Sequence, residues 1–128
     1  MKTNDQAFHE SMRSEGIDSR KTFEVVLGVI HAHFTDQMRF GNGEAVWARR
    51  HDDAVRWQAA LKHYVEAKVW AHLYLSTSGL AKAYAADDLR LPEFVTRHEE
   101  FLVEYAELNA LIDSTINEKT MADSIGWE

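Results

Sequence analysis

Residues 57–74 read WQAALKHYVEAKVWAHLY. Trp57, Ala60, Leu61, Tyr64, Ala67, Ala71 and Tyr74 recur at the three- and four-residue steps that place side chains on one face of an α-helix. Val65, Val69, Trp70 and Leu73 spread over the other side among Gln58, Lys62 and Glu66. A helix apolar on more than one side, with small Ala60, Ala67 and Ala71 on its main face, reads as the central helix of a bundle whose neighbours approach closely. The helical stretch extends from about Glu44 to Ser76, and His51-Asp52-Asp53 either caps a second helix within it or kinks a long one.

Outward from this segment the same period continues. Phe23, Val26, Leu27, Ile30, Phe34 and Met38 form an apolar stripe on a helix expected from Ser19 to Arg39, with Asp18 as its N-cap. Val25, Val29 and Ala32 lie on its opposite side, the pattern of a helix buried between neighbours or at a subunit contact. Phe40-Gly41-Asn42-Gly43 is expected to stop it, since Gly and Asn tolerate the left-handed backbone of a helix end. On the other flank, Ser76-Thr77-Ser78-Gly79 reads as a break, followed by a short helix over Leu80 to Ala86. Leu91-Pro92 opens the last helix, with proline at the first position, where its missing N–H is no loss. There Phe94, His98, Phe101, Tyr105, Leu108 and Ile112 repeat, widened by Leu102 and Ile116, and Glu93, Glu100, Glu104, Glu107 and Glu118 fall on the far side. The helix is expected to fade before a tail, Thr120 to Glu128, that carries Ile125 and Trp127.

The expected fold is therefore all-α: an antiparallel bundle of three to four main helices plus short terminal helices. With 128 residues the chain makes one domain, 1–128, with 1–17 and 119–128 as candidate flexible arms and a short helix near Asp5 to Arg13. The 45% apolar content suffices for a packed interior, and one proline and six glycines leave few interruptions.

Composition also narrows chemistry. Without cysteine there is no disulfide, no thiolate nucleophile and no cysteine zinc site. The first residues lack the apolar run of a signal peptide, and Val25–Phe34 and Val69–Leu75 are too short to span a bilayer, so a cytoplasmic protein away from membranes is expected. The net charge is −7, and residues 97–128 carry eight acids against Arg97 and Lys119. Nucleic acid is a poor partner for such a surface, because phosphates need clustered Lys and Arg. A −7 charge concentrated on one helix is also thin for imitating a duplex. A protein with a basic surface fits better.

No catalytic signature stands out. There is no Gly-x-Ser-x-Gly elbow, and Gly41-Asn42-Gly43 before Arg49-Arg50 lacks the Lys-Ser/Thr of a phosphate loop. None of the seven histidines has Glu or Asp three residues before it, and no two lie four apart, so no cofactor or metal is assigned. A ligand site assembled between helices would draw on His31, His63, Tyr64 and His98. His98 is the most notable of these because it sits inside an apolar stripe; its plainer reading is a core histidine satisfied by a neighbouring oxygen. Arg39, Arg49, Arg50 and Arg56 form the one local basic cluster, which could meet the acidic last helix of a second copy, pair within the chain or stay solvated. Trp47, Trp57, Tyr64, Trp70, Tyr74, Phe94, Phe101 and Tyr105 read chiefly as core, with an interface as the next use.

The leading expectation is a small helical protein–protein interaction module, an adaptor, regulator or inhibitor, that self-associates as a homo-oligomer. Glu100, Glu104 and Glu107, with Trp127 as an anchor, are its expected partner-binding residues. The alternative is a ligand- or metal-binding bundle, with an enzyme among its forms, using His31, His63, Tyr64 and His98.

Overall fold

The computed structural model describes residues 7, 19–87 and 92–125. Among these are three helices and no strand: α1 (Ser19–His51), α2 (Ala54–Asp87) and α3 (Pro92–Ile125). Asp18, Trp127 and, apart from residue 7, the short helix expected near Asp5 to Arg13 fall outside the described residues.

Of the breaks expected inside the helical stretches, only His51-Asp52-Asp53 separates two helices, and its two aspartates explain why. Asp52 adopts φ 48°, the left-handed conformation that Asp tolerates better than most residues. The Asp53 N–H then donates back to the Ala48 carbonyl at 3.2 Å, closing the end of α1. The same residue starts α2: its Oδ1 accepts from the N–H groups of Val55 (2.9 Å) and Arg56 (3.3 Å). Asp53→Ala should therefore cost about 1 kcal/mol in urea unfolding, whereas Asp53→Asn should keep most of the cap. Equal losses in the two variants would remove the cap from the account.

The other two expected breaks are corrected by the structure. α1 passes straight through Phe40-Gly41-Asn42-Gly43, and at Gly41 the missing side chain makes room for Tyr64 of α2. A Cβ there would lie 2.5 Å from Cε1 of Tyr64, and the Tyr64 hydroxyl donates to Oδ1 of Asn42 at 2.6 Å. α2 likewise continues through Ser76-Thr77-Ser78-Gly79 to Asp87, so no separate short helix exists over 80–86. Ser78 is fully buried, its hydroxyl paired with Nδ1 of His98 at 2.7 Å, and Gly79 lies under the same ring. Each misread break is a small residue beside a polar one, both directed at the next helix. α3 also runs on past residue 119 to Ile125, held by buried Ala122 and a Lys119–Asp123 ion pair one turn apart.

The packing partners show how the helices run. Arg56 of α2 meets Glu44 of α1, His63 meets Gln37, Trp70 stacks on His33 and Tyr74 abuts His31. Partner numbers fall along α1 as they rise along α2. The same order relates α2 to α3, through Lys82 with Glu99, Ser78 with His98 and His72 with Tyr105. α1 and α3 begin together, with Phe23 against Phe94 at 5.8 Å and Arg20 paired to Glu93.

The core follows the expected faces closely. Trp57, Ala60, Tyr64, Ala67, Ala71 and Tyr74 of α2 are all buried, with Phe23, Leu27, Ile30 and Phe34 from α1 and Phe94, Phe101 and Leu108 from α3. The alanines leave room for rings: Phe101 lies 5.2 Å from Phe34 and 4.1 Å from Tyr74, separations at which aromatic pairs attract. Val26, Leu102 and Ile116, assigned to the stripes, are instead exposed, and Thr115 takes the core position beside Ile116. Thr115 enters without an unpaired hydroxyl, since Oγ1 donates to the Leu111 carbonyl at 2.7 Å. Trp47, counted with the core aromatics, is more than half exposed and stacks on His51. No helix among the described residues is long and apolar enough to cross a membrane.

Candidate functional site

Two surface features stand out once the core is accounted for. The first is a groove of about 340 Å³ between α1 and α3. His31, Phe34, Thr35 and Met38 make one wall, and Glu104, Glu107, Leu108 and Leu111 make the other. Both sets follow the spacing i, i+3, i+4, i+7, so each wall is one face of a helix over two turns. Phe34, Met38, Leu108 and Leu111 give an apolar lining; His31, Thr35 and the two carboxylates add the polar groups. Oγ1 of Thr35 lies 3.5 Å from Nδ1 of His31, whose ring also packs near Phe34, Tyr74 and Phe101.

Glu104 and Glu107 are exposed, and among the described residues neither forms an ion pair. Other acids of α3 are neutralised: Glu93 by Arg20, Glu99 by Lys82 and Asp123 by Lys119. The hydrogen bond from Lys82 holds the Glu99 carboxyl below its usual range, with the lysine's charge acting in the same direction. The field of the unpaired acids reaches the core. Tyr74 has its pKa raised first by burial, opposed by Arg97 and reinforced by Glu104 and Glu100. Tyr64 is raised by burial as well, against the charge of Arg49.

The expected site residues are thus redistributed. Glu104 and Glu107 come together with His31 at the groove, an association of residues that had been assigned to two different functions. Glu100 lies one turn before Glu104, outside the lining, and Trp127 lies outside the described residues. The four residues of the ligand-site alternative do not converge. His63 Nδ1 pairs with Oε1 of Gln37 at 2.8 Å, Tyr64 with Asn42 and His98 with Ser78, each a separate link between helices. Among the described residues no group of three or more His, Asp or Glu is placed to hold a metal ion. The basic cluster is also partly used within the chain: Arg39 pairs with Asp36, Arg56 with Glu44, and Arg49 lies over the Trp57 ring.

The second feature is the outer face of α2, opposite its buried alanines. Val65, Val69, Leu73 and Leu80 are 47%, 58%, 46% and 36% exposed, at steps of four, four and seven. Ser76 occupies the intervening position, so Val65, Val69, Leu73, Ser76 and Leu80 form a line without a charge. Exposed Val25 and Val29 give α1 a similar line. This is the apolar second side that the sequence of both helices contains, and no described helix covers it.

Comparison of the chain with protein-family models, with curated proteins and with solved structures finds no match.

Proposed function

We propose that the chain is a helical protein–protein interaction module that pairs with a second copy of itself through the outer face of α2 and receives another protein, one with a basic surface, at its acidic third helix. The partner order across the helices supports an antiparallel three-helix bundle as the scaffold. The uncovered line of Val65, Val69, Leu73 and Leu80 carries the proposal. Contiguous apolar surface facing water is a liability that folded chains rarely keep unless something covers it. A helix face with three- and four-residue spacing suits another helix lying along it. In a chain of net charge −7, this line of uncharged side chains, bordered by Lys62 and Glu66, is also where two copies repel little. A twofold axis near Leu73 would set Val65 of one copy against Leu80 of the other.

The test is the mass of the protein in solution. Light scattering behind size exclusion should give a multiple of the 14.7 kDa chain at high micromolar concentration. Val69→Glu/Leu73→Glu should give the single-chain mass with unchanged helical circular dichroism. Wild-type protein that stays monomeric over this concentration range defeats the self-association.

A further inference from the structure

We propose that the groove between α1 and α3 is a seat for a lysine side chain delivered by the partner protein. The inference rests on the interaction-module reading and names what the partner must present. The lining of Phe34, Met38, Leu108 and Leu111 offers apolar contact along its length, while Glu104 and Glu107 stand on one wall without a cation. An occupant that suits both must be aliphatic for most of its length and positive at one end. An acidic or purely apolar group would bring the carboxylates no counter-charge and strip them of water.

Lysine matches this better than arginine. Its stem of methylene groups covers apolar surface while the charged end stays near water. Its ammonium is a compact charge with three rotatable donors, suited to two carboxylates a helical turn apart that do not share a plane. The planar guanidinium is suited to one carboxylate gripped side-on. Like charges at i, i+3 on one helix repel, so Glu104 and Glu107 are mutually unfavourable in the free chain and a cation between them relieves the strain.

The experiment uses the full chain and a short leucine-rich helical peptide carrying one central lysine, with matched peptides bearing norleucine or arginine there. Methyl NMR should show saturable shifts at Met38, Leu108 and Leu111. The norleucine peptide should bind about tenfold more weakly, the loss of one charge-assisted contact at a partly exposed site. Glu104→Gln/Glu107→Gln should erase that preference while leaving norleucine binding unchanged. Arginine should fall between the two.

Equal binding of lysine and norleucine peptides, or shifts confined to the outer face of α2, overturns the assignment. So does free n-hexylamine binding as tightly as the lysine peptide, which would make the groove a small-amine site. The oligomeric state measured on the same samples reports separately on the interaction-module reading, so the failure of one is distinguishable from that of the other.

Discussion

Phe101→Ala should lower the free energy of unfolding by about 3–5 kcal/mol, a large fraction of the 5–15 kcal/mol that holds a typical domain together. Phe101 is 2% exposed and touches all three helices at once: Phe34 and His31 from α1, Tyr74 from α2, and its own turn of α3. Truncation forfeits the transfer of a whole ring and leaves a cavity between rigid aromatic neighbours that cannot collapse into it. Urea unfolding followed by far-ultraviolet circular dichroism measures the loss. A change below about 1 kcal/mol would mean that the ring cluster is not packed as described.

The second large effect is a change of sign between two glycines. Gly→Ala inside a helix ordinarily stabilises by about 0.5–1 kcal/mol, because glycine loses more backbone freedom on folding. At Gly43 a Cβ meets nothing within 4 Å, so Gly43→Ala should show that gain. At Gly41 the new carbon would sit 2.5 Å and 2.7 Å from Cε1 and Cδ1 of Tyr64. That ring is 1% exposed and its hydroxyl is tied to Asn42, so it cannot swing aside. Overpacking of this kind costs about 1–3 kcal/mol, and Gly41→Ala should therefore destabilise by about 1–2 kcal/mol after the helical gain is subtracted. Thermal or urea unfolding of the pair decides it; shifts of the same sign would show that α2 does not press on α1 at this point.

The Gly41 contact also shows where sequence reading reached its limit. Helical period alone located the buried faces, from Phe23 to Phe34, Trp57 to Tyr74 and Phe94 to Leu108, because burial repeats with the backbone's own geometry. The start of α3 was legible from Pro92, whose missing N–H suits the first helical position. Gly41-Asn42-Gly43 and Ser76-Thr77-Ser78-Gly79 were misread because glycine and small polar residues have two uses. Locally they favour helix ends; in packed helices they admit a neighbour and bond to it. Which use applies depends on Tyr64 and His98, residues distant in sequence, so local propensity could not decide. Gln37, Asn42 and Ser78 were missed for the same reason.

The candidate site was half legible. Glu104 and Glu107 stood out by charge and His31 by type, but their meeting depends on how α1 turns toward α3. One signal was present and unused: His31, Phe34, Thr35 and Met38 have the same spacing as Glu104, Glu107, Leu108 and Leu111. Two equal walls of that kind are what a groove between neighbouring helices needs.

The turn at Asp52-Asp53 has a kinetic consequence. With only these two residues between helices of 33 and 34 residues, almost no chain must be closed before α1 and α2 touch. Ala48 and Trp57, close along the chain, both belong to the core, and further contacts can be added outward from the turn in sequence. Short closure of this kind favours early contact between α1 and α2, and the link from Asp87 to Pro92 adds only slightly more closure cost for α3. A chain in which α1 and α2 met before α3 docked would lack the cover that Phe101 gives Phe34 and Tyr74, and that species would be the one most exposed to aggregation.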